Sequence, residues 1–238
     1  MASEMPVAIV TGAGSGIGRA VALRLAVAGW AVALAGRTGS KLNETARLIS
    51  AEHGVEYPVL VQAGDLAEPR TAHDLVRAVG GRFGRVDGVV NAAGYAALAS
   101  IESTTPELWR MVVDANLSAA VHVTRAAWAM LKVRGGVVVN VSSQASLDPF
   151  EGLWAYGAAK AGLNLWTLAT AREGAGHGIK AVAIAPGAVE TPMLRGLFAE
   201  EQVPGEACLT AEEVADLIVA CVTGRRGFEP GEVISIVR

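Results

Sequence analysis

The chain has 238 residues, enough to bury a large core as one α/β domain. Apolar residues make up 52% and charged residues 18%, a balance that excludes intrinsic disorder. A net charge of −3 argues against nucleic acid as the main partner.

The N-terminus, Met1-Ala2-Ser3-Glu4-Met5-Pro6, lacks a basic segment followed by an apolar one and reads as no secretory signal. Val7-Ala8-Ile9-Val10 suits a central strand and leads directly into Thr11-Gly12-Ala13-Gly14-Ser15-Gly16-Ile17-Gly18. Ile17, Val21 and Leu25 then recur at helical spacing until Gly29. Strand, glycine turn and helix form the context in which such a loop cradles a dinucleotide. Gly12 allows the tight turn, Gly16 and Gly18 allow close approach, and the helix N-terminus offers free N–H groups to a pyrophosphate. A purely structural glycine turn is the alternative. The uncharged run between Arg24 and Arg37 falls short of the ~18 residues of a membrane span and is interrupted by Gly29. Its second half, Ala31 to Ala35, is a strand ending at Gly36-Arg37-Thr38. An acidic residue there would take a ribose 2′-hydroxyl, whereas Arg37, with Lys41 nearby, suits a 2′-phosphate and favours NADP(H) over NAD(H). A solvated strand-end arginine is the plain alternative. A helix from about Ser40 to His53 and a strand from Pro58 to Gln62 lead to Asp65-Leu66. Asp65 could accept from an exocyclic amine such as that of adenine, cap the next helix, or do both.

The pattern continues with a helix around Thr71–Phe83 and a strand Val86–Val90, ending in Asn91-Ala92-Ala93-Gly94. Small residues there let a cofactor lie against backbone, and Asn91 can pin the loop through side-chain to backbone bonds. Thr105-Pro106-Glu107 starts a helix expected to run to about Lys132. Asn116 falls inside it, either as an inter-helix hydrogen bond or as a polar group at a kink beside the active centre. Gly136 to Val141 is a buried strand, so Ser143 stands at a strand's C-terminal end, where open α/β sheets bind ligands. Tyr156 and Lys160, four apart on a helix expected to reach about Arg172, share one face. An ammonium beside a phenol favours the phenolate; moving a tyrosine from about 10 to roughly 7 takes about 4 kcal/mol, from the lysine and a bound cationic ring together. By itself the Tyr-x-x-x-Lys spacing also fits an ordinary amphipathic helix. A strand from Lys180 to Ala185 is halted by Pro186-Gly187, and Thr191-Pro192-Met193 follows. Residues 193–204 suit a mobile lid or a surface helix. Thr210 caps a helix through Cys221, with Glu213 at the capping-box position, and Glu232 to Ile236 closes the chain as a strand. Cys208 and Cys221 form no redox or metal spacing and are expected to be reduced, half-buried thiols; His53, His73, His122 and His177 are scattered, so no metal is expected. Strands and helices alternate without linker or repeat. The expectation is one α/β domain over 1–238, a doubly wound parallel sheet with helices on both faces, located in the cytoplasm.

Taken in order, these motifs resemble the short-chain dehydrogenase/reductase family in its compact single-domain form, a Rossmann fold. The resemblance covers nearly the whole chain and rests on Thr11 to Gly18, Asn91 to Gly94, Asn116, Ser143, Tyr156 with Lys160, and Pro186-Gly187 through Thr191. It implies an oxidoreductase that passes a hydride between nicotinamide and a ketone or secondary alcohol. Tyr156 would be general acid and base, Lys160 would lower its pKa and hold the nicotinamide ribose, Ser143 would bond the substrate carbonyl, and Asn116 would support a relay water. Gly12, Ser15, Ile17, Arg37, Asp65, Asn91, Val189 and Thr191 would contact cofactor, with Gly16, Gly18, Leu66, Ala92, Gly94, Pro186 and Gly187 in the same segments. NADP-binding relatives often carry a basic residue where this chain has Ser15, so the NADP(H) preference leans on Arg37. Many relatives end in a strand and Asp-Gly-Gly; this chain ends Gly231 to Arg238 without it, more like the NADP-dependent branch acting on 3-hydroxy acids and assorted carbonyls. The resemblance also implies a homodimer or homotetramer. A non-catalytic dinucleotide sensor that binds other proteins is the alternative, opposed by the intact Ser143, Tyr156 and Lys160; a sugar-nucleotide epimerase would need a longer C-terminal substrate domain. Gln144, Leu147, Trp154, Met193 and Phe198 are candidates for an apolar or mixed substrate pocket, and Arg195 for meeting a carboxylate.

Overall fold

The computed structural model describes residues 5–238; Met1 through Glu4, part of the N-terminal stretch read above, lie outside the described residues. The strands are β1 (Val7–Thr11), β2 (Ala31–Gly36), β3 (Val59–Ala63), β4 (Gly88–Asn91), β5 (Val137–Val141), β6 (Lys180–Pro186) and β7 (Val233–Ile236). The helices are α1 (Gly16–Val27), α2 (Gly39–His53), α3 (Pro69–Phe83), α4 (Pro106–Val113), α5 (Ala119–Arg134), α6 (Trp154–Gly174), α7 (Pro192–Arg195) and α8 (Ala211–Val222). All seven strands form one sheet in the order β3-β2-β1-β4-β5-β6-β7, and every pairing is parallel. The doubly wound sheet expected from the alternation is therefore present. The chain winds outward from β1 to β3, then returns to the other side of β1 at β4. The loops leaving β1 and β4 diverge there, which opens a crevice at the carboxyl ends of the strands.

Strand periodicity sorts the core into two layers. Ala8 and Val10 of β1, Val32 and Leu34 of β2 and Val139 of β5 pack with α1, α2 and α8. Their neighbours Val7, Ile9, Ala31, Ala33 and Val138 point the other way, onto α3, α5 and α6. Strands buried on both faces read as continuous apolar runs, which is why the sequence shows them so clearly.

Three local expectations change. The helix from Thr105 is not continuous: α4 passes through a π-helical turn, Asp114–Ser118, before α5. Nδ2 of Asn116 donates to the Val112 carbonyl at 2.8 Å, the acceptor an unbroken α-helix would give to the Asn116 N–H. Asp65 caps no helix, because α3 starts at Pro69 with Glu68 as its cap; its carboxylate accepts from Ala67 N at 3.0 Å in an Asx turn. Cys208 and Cys221 are fully buried rather than half-buried, and both are free. Among the described residues no helix is long and apolar enough to cross a membrane, and no cluster of three metal-ligating side chains occurs.

Candidate active site

Two cavities open at the carboxyl ends of the strands. The first, about 460 Å³, is lined by Gly12, Gly14 and Ser15 after β1, by Gly36 and Arg37 at the end of β2, by Gly64 through Ala67 after β3, and by Ala93 and Gly94 after β4. Gly12 has φ +66°, and a Cβ on it would stand 2.7 Å from the Ala92 carbonyl oxygen. The loop is braced from neighbouring elements. Arg19 Nη2 donates to Gly14 O at 2.5 Å, and Thr45 Oγ1 of α2 donates to Ala13 O at 2.8 Å. Thr11 Oγ1 accepts from the backbone N–H groups of Ala92 and Ala93, each at 3.0 Å, and so ties the loop after β4 to the loop after β1. Ser15 precedes α1 without a side-chain cap, whereas α8 carries the complete Thr210–Glu213 capping box. The first-turn N–H groups of α1 therefore have no side-chain acceptor. Arg37 is exposed and makes no ion pair or hydrogen bond among the described residues. A glycine cradle, an uncapped helix N-terminus and a free cation suit the phosphates of a dinucleotide.

The second cavity, about 380 Å³, brings together Ile17, Ala92, Gly94, Asn116, Ser143, Tyr156, Lys160, Pro186, Gly187, Val189 and Thr191, all expected from the sequence. Gly94 lines both cavities and so stands between them. A Cβ on it would meet Asn116 Oδ1 at 2.7 Å and Lys160 Nζ at 3.7 Å. Ser143 follows β5 in extended conformation; its hydroxyl accepts from Ala145 N at 3.1 Å and hydrogen-bonds the Tyr156 phenol. Lys160, one turn along α6, places Nζ 5.5 Å from the Tyr156 ring centroid and donates to the Val141 carbonyl at 2.7 Å. Burial dominates both groups. It pushes the Tyr156 phenol up to about 12, with the Ser143 hydrogen bond pulling the other way, and pushes the Lys160 ammonium down to about 7. Asn116 Nδ2 also donates to Tyr95 O at 2.6 Å in the loop after β4, a bond to a loop and not the inter-helix bond of the first reading, and the residue sits at a break in the helix, as in the second.

Some expected residues stand elsewhere. Gly16 and Gly18 line neither cavity; Gly18 packs α1 against the loop, where a Cβ would lie 2.4 Å from Gly12 O. Asn91 also lines neither. Its side chain turns inward, with Nδ2 donating to Thr124 Oγ1 at 3.1 Å and Asn140 Oδ1 at 2.8 Å, while Asn140 Nδ2 donates to Thr167 Oγ1 at 2.8 Å. It pins β4 to β5 and to α5, and the loop-pinning role expected of it belongs to Thr11. Met193 and Phe198 line the second cavity, but Gln144, Leu147 and Trp154 do not. Gln144 Nε2 reaches Ala185 O at 3.1 Å and the Ser235 hydroxyl, Leu147 is exposed, and Trp154 stacks on Trp109 at 5.4 Å. Arg195 pairs with Glu190 and donates to Val203 O at 2.9 Å. Residues 193–204 form no long helix: α7 ends at Arg195, and Leu197, Phe198 and Val203 then line one wall of the cavity. Sequence reasoning missed the polar brace behind Ser143, in which Ser142 Oγ donates to Asn164 Oδ1 at 2.6 Å, Asn164 Nδ2 to Ser146 Oγ at 2.9 Å, and Ser146 Oγ to Ser143 O at 2.6 Å. The spacing of Asn164, four beyond Lys160 on the same helix face, was the available signal.

Residues 6–202 match the short chain dehydrogenase family. An uncharacterised oxidoreductase of Staphylococcus epidermidis is 34% identical over 91% of this chain and 90% of its own length. An acetoacetyl-CoA reductase of Rhizobium meliloti is 35% identical over 96% of this chain and 95% of its own. Among solved structures, an actinorhodin polyketide ketoreductase with NADPH superposes with a TM-score of 0.90 at 29% identity, covering 100% of this chain and 98% of that one.

Proposed function

The chain belongs to the short-chain dehydrogenase family and is an oxidoreductase of that family, and from that premise we propose that it uses NADP(H) to interconvert a ketone and a secondary alcohol, with Tyr156 moving the proton. The observation that carries this reading is the convergence of Ser143, Tyr156 and Lys160 in a cavity that shares Gly94 with the one lined by the glycine loop. When bound, the nicotinamide supplies or accepts the hydride at the carbonyl carbon. The remaining tasks fall to the chain. The glycine loop and the N-terminus of α1 hold the pyrophosphate, Arg37 with Lys41 holds the 2′-phosphate, and Asp65, whose carboxylate is only partly used by Ala67 N, accepts from the adenine amine. Ser143 donates to the substrate carbonyl oxygen and orients it. Tyr156, kept protonated by burial, gives its proton to the same oxygen in reduction and recovers it in oxidation. Both Nδ2 hydrogens of Asn116 are engaged, so Oδ1, with only a 3.4 Å contact from Tyr95 N, is the atom left to hold a relay water towards Lys160.

The ketone-reducing name and NADPH of the actinorhodin relative, and the acetoacetyl-CoA reductase name of the Rhizobium relative, support this direction of chemistry. The working form is read as one domain over 1–238, cytoplasmic, assembled as a homodimer or homotetramer. A panel of ketones and alcohols assayed with NADPH/NADP⁺ and with NADH/NAD⁺ tests the reading. It expects turnover with at least one carbonyl and a preference for the phosphorylated cofactor; no turnover across a broad panel would reject it.

A further inference from the structure

We propose that the second cavity selects uncharged or cationic apolar carbonyl compounds over anionic ones, and that Glu151 at its rim sets this selection. The inference rests on the carbonyl chemistry proposed for the same site and adds the class of substrate. The lining beyond Ser143 and Tyr156 is largely apolar: Ala145, Leu153, Met193, Leu197, Phe198 and Val203 supply much of it. Covering an apolar substrate with such a surface is favourable in proportion to the area removed from water. Three lining residues can ionise, namely Glu151, Tyr156 and Lys160. Lys160 is buried, faces Tyr156 and already donates to the Val141 carbonyl. Arg195 follows the lining residue Leu194, but it is held by Glu190 and the Val203 carbonyl and does not line the cavity. The cavity therefore offers no uncommitted cation to a carboxylate or sulfonate.

Glu151 is exposed at the rim and makes no hydrogen bond or ion pair among the described residues, and the turn around it sets where its backbone stands. Leu153 N donates to Phe150 O at 3.0 Å and closes a turn with Gly152 at φ +75°, the third-position glycine of a type II turn. Ala99 N donates to Gly152 O at 2.9 Å and ties that turn to the segment that contributes Ala96 to the lining. Phe150 and Leu153, on either side of the turn, line the cavity as well. An anionic substrate would lose water against apolar walls and approach the like charge of Glu151 at the rim with no compensating partner. A neutral substrate escapes that cost, and a basic amine or hydrogen-bond donor on its far end would find an acceptor in Glu151. Of the substrates suggested by the C-terminal ending, this favours assorted carbonyls over free 3-hydroxy acids.

The test compares methyl benzoylformate with benzoylformate, a pair alike in their aromatic ketone and different in charge. Dissociation constants are measured by calorimetry on the full chain, with and without NADP⁺, for the wild type and Glu151→Gln. The ester should bind about tenfold or more tighter to the wild type. Glu151→Gln should shrink that ratio several-fold, mainly by tightening the acid, and high salt should shrink it in the wild type alone. Equal or tighter binding of the acid, a ratio untouched by Glu151→Gln, or no binding of either compound overturns the proposal. Turnover of the ester with NADPH is followed separately. A charge preference without turnover of any carbonyl would reject the carbonyl chemistry, while turnover without a charge preference would reject the role of Glu151.

Discussion

Burial sets the protonation of the two groups on α6 in opposite senses. Lys160, near 10.5 in an unfolded chain, falls to about 7 in the fold. Between these values the unfolded chain binds the extra proton, so this residue's contribution to stability rises as pH rises from about 7 towards 10.5 and is unfavourable below 7. Tyr156 is raised from 10 to about 12, so its contribution is lost as pH climbs through that interval. Lys160→Met should therefore be more stable relative to the wild type at pH 6 than at pH 9, with a difference of at most about 1.4 kcal/mol per pH unit. Urea denaturation at both values measures it; a constant difference would mean that Lys160 is not buried against its charge. Arg37, with no partner among the described residues, makes the complementary case. Arg37→Ala should weaken NADPH roughly tenfold or more and leave NADH nearly unchanged, read by fluorescence titration. Equal losses would discard the 2′-phosphate role. Ser143, Tyr156 and Lys160 were legible because a strand end and a four-residue helix spacing fix them locally. Asn91 was not, since its partners Thr124 and Asn140 come from other elements, which one-dimensional spacing does not pair. Trp154 is two residues from Tyr156, but about 200° of helix rotation separates them, and it stacks on Trp109 away from the cavity.

Among the elements, α1 and the break between α4 and α5 matter most to the site. A Cβ at Gly18 would stand 2.4 Å from Gly12 O and 3.0 Å from Thr11 O, both backbone, so α1 or the loop would have to move. Gly18→Ala should lower stability by about 1–3 kcal/mol or more and weaken cofactor binding with it. Gly81, on an exposed stretch of α3, has nothing within 4 Å of its added Cβ and no positive φ, so Gly81→Ala should stabilise by roughly 0.5–1 kcal/mol. Thermal unfolding of the two variants should move in opposite directions; the same direction for both would mean that contact at the loop is not what requires Gly18. Caps were readable, and Thr105 and Thr210 accept the hydrogen bonds expected of them. A kink at Asn116 was one of its two readings, drawn from the polar residue itself; the π form of the turn was not legible, because the bonds of Asn116 to Val112 O and Tyr95 O that accompany it are invisible to apolar periodicity.

For the molecule as a whole, the order β3-β2-β1-β4-β5-β6-β7 decides where chemistry can occur. Reversal of winding at β1 puts the glycine loop, the loop after β4 and Ser143 on one edge, and α6 brings Tyr156 and Lys160 to it. That topology was legible from buried apolar runs alternating with amphipathic helices, since parallel crossovers leave few alternatives. The shape of the substrate cavity was not, because its wall comes from irregular turns after α7, across which Arg195 bonds Glu190 and the Val203 carbonyl, contacts that one-dimensional spacing does not pair. The most direct measurement is single-turnover oxidation of bound NADPH by a carbonyl that the wild type reduces, compared with Tyr156→Phe, alongside NADPH affinity. A loss of roughly 10²–10⁴ in rate with affinity within about twofold is the predicted result. Full rate in the phenylalanine variant would contradict the assignment of Tyr156 as the proton donor.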